Sequence, residues 1–99
     1  MKKFDSLEDI RKQIDKIDLR ILDLISERKD LVTEVVKLKR RDQIVDKKRI
    51  ELILKKLNNE AKKRSLPSEF IEEIWNLMIK NFINYEEKIF DEVHKKNFK

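Results

Sequence analysis

The chain has 99 residues, of which 45% are charged, and its net charge is +5. This length allows one domain, residues 1–99. The chain has no cysteine, no glycine, one histidine and one proline, which argues against disulfides, Gly-rich phosphate loops and thiolate or histidine metal sites. No apolar run follows the N-terminal lysines or approaches the ~20 residues of a membrane span, so we expect a cytoplasmic protein without a membrane partner.

A repeating apolar pattern predicts one long helix at the start of the chain. Ten positions alternate in steps of three and four residues, and nine of them are branched aliphatic. We call this set the seam: Leu7, Ile10, Ile14, Ile17, Ile21, Leu24, Arg28, Leu31, Val35 and Leu38. This spacing places the seam on one helix face that packs against other helices. With Ser6 as N-cap and no helix breaker before Arg41, the helix has about 35 residues and spans ~50 Å.

Two shorter helices follow the long one. Asp46 is a good N-cap for the second helix, whose apolar face comprises Ile50, Ile53, Leu54, Leu57 and Ala61. Residues 62–66 indicate a loop, and Pro67 or Ser68 begins a third helix. Its core stripe comprises Trp75, Ile79, Phe82, Glu86, Phe90 and Val93, and we expect His94 to be exposed near a fraying end. The sequence therefore predicts an all-α fold with one long and two shorter helices.

The seam is too long for a single chain to bury. Two shorter helices cannot cover it, and the exposed remainder would exceed the apolar patch that soluble monomers tolerate. We therefore expect a two-fold homodimer with the long helices side by side. A monomeric bundle would require the long helix to break in its middle, and the chain has no glycine and only one proline, Pro67.

Two charged residues interrupt the apolar patterns. Arg28 lies in the seam, where a buried guanidinium needs either a protein carboxylate or a bound anionic ligand. Arg11 and Lys39 flank the seam and add two further cations. Glu86 lies in the stripe of the third helix, where a carboxylate is rare unless it is paired or protonated. It pairs with Arg28, Lys39 or Arg49, or it faces the same ligand as these cations.

Taken together, these features resemble the all-α class of chorismate mutases over nearly the whole chain. Segment 7–41 is similar to the family's long first helix, and segments 44–57 and 66–90 are similar to the loop with the second helix and to the last helix. The positions that carry the resemblance are Arg11, the IDKID run at 14–18, the Glu27–Arg28 pair, Lys39, Arg49 and Glu86.

The resemblance implies an intertwined homodimer that converts chorismate to prephenate without a cofactor. It implies that the partner's Arg11 closes each site, and that Arg28 and Lys39 bind the two carboxylates of the substrate. Lys39 and Glu86 would face the ether oxygen of the breaking bond. The implied catalytic residues are Arg28, Lys39 and Glu86, and the implied substrate-binding residues are Arg11, Arg28, Lys39, Asp46, Arg49, Ile50, Phe82 and Glu86.

Two residues depart from the mutase pattern. Ile50 stands where the mutases have a glutamate, and Phe82 stands where they have a serine. These changes, with the short spacing from Lys39 to Arg49, resemble the isochorismate pyruvate lyases of the same fold. The aminodeoxychorismate mutases and a catalytically inactive regulatory relative are further alternatives.

A non-enzymatic nucleic-acid-binding module is an alternative from another class. It would use the basic residues of the loop region and its flanks: Lys37, Lys39, Arg40, Arg41, Lys47, Lys48 and Arg49. Such binding would weaken steeply with salt. This alternative leaves Arg28 and Glu86 unexplained, so we expect a small dicarboxylate substrate and no nucleic-acid partner.

Overall fold

The computed structural model describes residues 4–95 and is all-helical in that range. It contains α1 (Leu7–Leu38), a 3₁₀ helix (Arg41–Gln43), α2 (Lys47–Lys63) and α3 (Ser68–Lys95). The predicted all-α class with one long and two shorter helices is confirmed. The chain divides into two compact units, Met1–Leu31 and Val32–Lys99. No helix within residues 4–95 is long and apolar enough to cross a membrane.

The first unit contains most of α1 and its N-cap. The backbone N–H of Asp9 donates to Ser6 Oγ at 3.1 Å, as predicted for the capping residue. The apolar seam residues of this unit are exposed in the single chain: Leu7, Ile10, Ile14, Ile17, Ile21, Leu24 and Leu31. The apolar face that defines the helix in the sequence is therefore present but not covered.

The core of the second unit lies among its three helices and the loop before α2. Its buried apolar residues are Val36, Ile44, Ala61 and Ile79. Asp46 caps α2, because its carboxylate accepts from the backbone N–H of Arg49 at 3.0 Å. α2 packs on α3, and Glu86 is buried on α3, as its place in the apolar stripe indicates.

The last turns of α1 bury a different line of residues from the seam. Val36 has no exposed surface, whereas Val35 is 44% exposed and Leu38 is 89% exposed. Thr33 on the buried side also shares a hydrogen bond of 2.8 Å with the Tyr85 hydroxyl of α3. At the end of α1, the face with Thr33 and Val36 therefore packs within the second unit, whereas the seam face with Val35 and Leu38 stays exposed.

α1 ends at Leu38, three residues before the predicted end at Arg41. In a continuing α-helix, the N–H of Arg40 would donate to the carbonyl of Val36. Here the Arg40 N–H donates to Gln43 Oε1 at 2.8 Å, in an extended conformation. A side chain downstream therefore takes the donor that would extend the helix.

The turn between α2 and α3 contains a residue in the left-handed region. Ser65 has a φ of 55°. Its N–H donates to the Lys62 carbonyl at 3.2 Å, and that of Leu66 donates to the Ala61 carbonyl at 2.9 Å. This is the Schellman pattern of helix ends. Glycine is usual at the left-handed position because a Cβ is disfavoured there, but the chain has no glycine.

Ser65→Gly is therefore expected to stabilise the fold. The free energy of unfolding should rise by about 1 kcal/mol, because the left-handed conformation no longer strains a Cβ. Urea unfolding at a fixed protein concentration measures the change. The matched control is Lys56→Gly at an exposed position inside α2, which should lose about 1 kcal/mol. A loss of stability in both variants would contradict the strain assigned to Ser65.

Candidate active site

A buried ion pair joins the segment after α1 to the middle of α3. The Nζ atom of Lys39 lies 3.0 Å from Oε1 of Glu86, and the side chains are 23% and 8% exposed, respectively. A carboxylate so far from water needs a positive partner. Of the three partners that the sequence allowed for Glu86, the structure pairs it with Lys39.

The start of α2 brings together three further predicted residues. Asp46 accepts from the Arg49 N–H through its side chain and from the Ile50 N–H through its carbonyl, at 3.0 Å in both cases. The side chain of Asp46 therefore has a structural function as a cap. The guanidinium of Arg49 is exposed and has no ion-pair partner among residues 4–95, so its charge is accessible to an anion.

Phe82 lies one helical turn before Glu86 on α3. It is half-buried, and its ring meets that of Tyr85 edge to face, with centroids 6.4 Å apart and an interplanar angle of 84°. This is a favourable aromatic geometry. The position is therefore apolar and held by packing.

Arg11 and Arg28 lie in the first unit, on α1. Arg11 is exposed and Arg28 is half-buried. No carboxylate within residues 4–95 forms an ion pair with Arg11. The grouping that the structure establishes is therefore Lys39 with Glu86, and Asp46 with Arg49 and Ile50, whereas the shared site with Arg11 and Arg28 stays a prediction.

The predicted exposure of His94 is wrong. Instead of being exposed at a fraying end, His94 is half-buried and stacks on Phe90, with ring centroids 4.0 Å apart and an interplanar angle of 22°. Its Nε2 lies 2.9 Å from the carbonyl oxygen of Val36. The sequence spacing indicates this contact, because His94 follows Phe90 by four residues and Glu86 by eight, on one side of a helix.

Arg41 also contacts the Phe90 ring on which His94 stacks. Its guanidinium carbon lies 4.7 Å from the centroid of the Phe90 ring, and the guanidinium also pairs with Asp91. A cation over an aromatic face is an attractive arrangement. Val36 near the end of α1 and Arg41 after it therefore both contact the last turns of α3.

A pocket at the corner of α2 and α3 lies away from the predicted residues. Its lining is mainly apolar, with Glu60 and Arg64 contributing charge: Leu57, Glu60, Ala61, Arg64, Leu66, Ile71 and Trp75. Hydrogen bonds from Arg64 and Lys63 lower the pKa of Glu60 below its usual value. The Glu60 carboxylate already accepts from Lys63 and Arg64 near the end of α2. This pocket therefore has no buried ion pair comparable to that of Lys39 and Glu86.

The arrangement around Lys39 suits the binding of an anion. No group of three His, Asp or Glu side chains within residues 4–95 is placed to hold a metal ion. An ammonium has three N–H donors. One donor of Lys39 is directed at Glu86, and within residues 4–95 no other side chain forms an ion pair with this ammonium.

Comparison with known proteins identifies the family. The model of a family described as chorismate mutase type II matches residues 10–87. The chain belongs to this family. Two relatives are bifunctional chorismate mutase/prephenate dehydratases of Buchnera aphidicola, from subsp. Schizaphis graminum (strain Sg) and subsp. Acyrthosiphon pisum (strain APS). They are 31% and 33% identical, and each alignment covers 86% of this chain and 23% of the relative.

The part of the chain matched to the type II chorismate mutase family contains the predicted site residues. Arg11 lies next to its start and Glu86 next to its end, so the matched segment spans both units. His94 lies beyond the segment. The chain covers only 23% of the length of each of these relatives. The names of both relatives state two activities.

Breaking the ion pair from one side should destabilise this member of the family. Lys39→Met leaves the buried Glu86 without its ammonium, and the free energy of unfolding should fall by roughly 2 to 3 kcal/mol. The double variant Lys39→Met/Glu86→Leu should recover most of this loss, because no buried charge remains. Urea unfolding of both variants measures the two changes.

An exposed pair provides the control for this measurement. Lys37 and Glu34 form a salt bridge of 2.8 Å whose side chains are about half or more exposed. Lys37→Met should change the free energy of unfolding by less than about 0.5 kcal/mol. If Lys39→Met had an effect as small as this control, Glu86 would not depend on the pair.

Proposed function

We propose that this chain is a chorismate mutase that converts chorismate to prephenate in the cytoplasm, with residues 1–99 acting as one domain. The observation that carries the proposal is the family match over residues 10–87. The ion pair of Lys39 with Glu86 supports it, because it places a cation and a carboxyl group side by side in a mostly buried setting.

The reaction suits a protein of this composition. A [3,3] rearrangement breaks one C–O bond and forms one C–C bond in a concerted step, without a nucleophile or an obligatory proton transfer. Catalysis then consists of holding the compact conformer of the substrate and stabilising the charge that develops on the ether oxygen. No cofactor has a part in this proposal.

Lys39 and Glu86 are the groups we assign to the ether oxygen. The ammonium of Lys39 has donors left after its contact with Glu86, and it stabilises negative charge on the oxygen as the C–O bond breaks. Glu86 holds that ammonium in place at 3.0 Å. A protonated Glu86 would donate a second hydrogen bond to the same oxygen, whereas an ionised one only accepts.

The remaining cations provide the binding energy for a dianionic substrate. Arg28 and Lys39 bind the two carboxylates, and a guanidinium matches a carboxylate in a two-point contact. Arg49 adds positive charge from the start of α2, where Asp46 fixes the first turn. Ile50 and Phe82 form apolar walls of the same site.

We further propose an intertwined homodimer in which the partner's Arg11 completes each site. The exposed seam supports this assignment, because a row of branched aliphatics from Leu7 to Leu31 is uncovered in the single chain. The buried face of the last turns of α1 supports it too. Val36 packs within the chain, so the exposed Val35 and Leu38 are left for a second copy.

Isochorismate pyruvate lyase activity is the second candidate. Ile50 is half-buried at the start of α2, and Phe82 is half-buried and packed against Tyr85. Neither side chain offers a hydrogen bond to a ring hydroxyl. The site could therefore accept an isomer of chorismate whose hydroxyl lies elsewhere, or an aminodeoxychorismate.

The deciding experiment compares substrates directly. Pure protein is incubated separately with chorismate, isochorismate and aminodeoxychorismate, and the products are identified by mass spectrometry and absorbance. We expect prephenate from chorismate at a rate far above the uncatalysed reaction, and an inactive Arg28→Ala variant with unchanged helix content. Salicylate and pyruvate from isochorismate as the main products would favour the lyase. Turnover of none of the three would refute the proposal.

Subunit complementation tests the shared site. Arg11→Ala and Lys39→Ala should each be inactive alone, because each removes one cation from both sites of the dimer. After mixing and subunit exchange, activity should return to about a quarter of the wild-type level, because half of the dimers are hybrids with one intact site. A pair of Arg11→Ala and Arg49→Ala serves as a second cross-chain combination.

Three results would contradict the shared site. Exchange verified by mass spectrometry without any return of activity would place Arg11 and Lys39 in the same chain's site. A sedimentation measurement that gave a folded monomer at all concentrations would remove the homodimer itself. Return of activity in a mixture of Lys39→Ala and Glu86→Ala would also count against it, because these residues belong to the same half of a site.

A further inference from the structure

His94 has no part in the function proposed above, yet it contacts the backbone that leads to Lys39. We propose that His94 is a positioning residue for Lys39: its ring N–H binds the Val36 carbonyl, ends α1 before Lys39 and so directs the ammonium to Glu86. This inference rests on the proposed function of Lys39. It does not require contact between His94 and the substrate.

The Val36 carbonyl is the point where the helix is stopped. In a regular helix it would accept from the N–H of Arg40, four residues later. Here it accepts from the N–H of Lys39 at 3.2 Å, and His94 Nε2 lies 2.9 Å from it. The Arg40 N–H is bound to Gln43 instead. Both sides of the bond that would continue α1 are therefore taken by side chains from outside the helix.

The direction of the His94 hydrogen bond follows from its partner. A carbonyl oxygen only accepts, so Nε2 must carry the proton. Stacking on Phe90 at 4.0 Å holds the plane of the ring. The Phe90 ring is in turn contacted by the Arg41 guanidinium at 4.7 Å. The His94 ring is thus positioned by Phe90 on its own helix, and Phe90 is in turn contacted by Arg41 from the segment after α1.

α3 carries both side chains that contact the segment from Val36 to Lys39, the donor His94 and the acceptor Glu86. Glu86 and His94 are eight residues apart on α3, which corresponds to about 12 Å along the helix axis on nearly the same face. Glu86 holds the ammonium of Lys39, and His94 holds the carbonyl three residues before it. The position of Lys39 relative to Glu86 is therefore set by two contacts to the same element.

Loss of the His94 donor has a defined structural consequence. The Val36 carbonyl then has room for a second donor, the Arg40 N–H exchanges Gln43 Oε1 for this carbonyl, and α1 gains residues at its end. In a helix each residue turns by about 100° from the one before, so a helical Lys39 points in a different direction from the present one. The ammonium then leaves Glu86 and the ether oxygen.

Two variants of His94 separate the hydrogen bond from the packing. His94→Phe keeps an aromatic ring on Phe90 but has no donor, whereas His94→Gln keeps an N–H donor of similar reach without the ring. We expect kcat for chorismate to fall about tenfold in His94→Phe, with KM changed by less than about threefold, because the arginines still bind the carboxylates. His94→Gln should recover most of kcat. Glu92→Gln, exposed on the same helix, is the control.

A double-mutant cycle tests whether His94 acts through Lys39. In a Lys39→Ala background, His94→Phe should have no further effect on the residual rate, because the group that it positions is absent. A loss of the same factor in both backgrounds would overturn the proposal. Equal kcat values for His94→Phe and His94→Gln, both reduced, would likewise overturn it and leave only a packing role.

A backbone measurement tests the inference independently of activity. In NMR spectra of His94→Phe, the carbon shifts of Lys39 and Arg40 should move towards helical values, because the Arg40 N–H then donates to the Val36 carbonyl. His94→Gln should keep the wild-type values. Unchanged shifts in His94→Phe would refute the positioning role. If the wild-type protein failed to turn over chorismate, the proposed function would fail while this measurement still decided the structural inference.

Discussion

The burial of Glu86 is the constraint on which the second unit depends. A carboxylate with 8% of its side chain exposed is stable only beside a positive charge, and Lys39 supplies that charge from the segment after α1. The chain must therefore leave α1 where an ammonium reaches the middle of α3. The end of α1 at Leu38 allows this contact, and its role in a site belongs to the proposed function.

Much of the fold was predictable because it depends on local chemistry. The period of the apolar residues gives the three helices, the Ser6 and Asp46 side chains mark two helix starts, and the place of Glu86 in an apolar stripe indicates its burial. These signals are contained within one or two helical turns, so no knowledge of distant residues is needed to read them.

The features that were not predicted depend on residues far apart in the sequence. The Val36 carbonyl near the end of α1 is contacted by His94, 58 residues away, and the pairing of Lys39 with Glu86 depends on where that helix ends. The burial of Val36 instead of Val35 reflects which face of α1 meets α3. In the first unit, the role of Arg11 stays a prediction because it depends on a second copy of the chain, and the role of Arg28 stays one because it depends on a bound substrate.

The composition around the seam bears on how a newly made chain avoids aggregation. Branched aliphatics from Leu7 to Leu31 are exposed until something covers them, and such a surface invites unspecific association. Acidic and basic residues fill most of the positions between them. Charges interleaved at this density act as gatekeepers, because any wrongly aligned contact must bring like charges together or remove them from water. The high proportion of charged residues thus limits unspecific association through this exposed face.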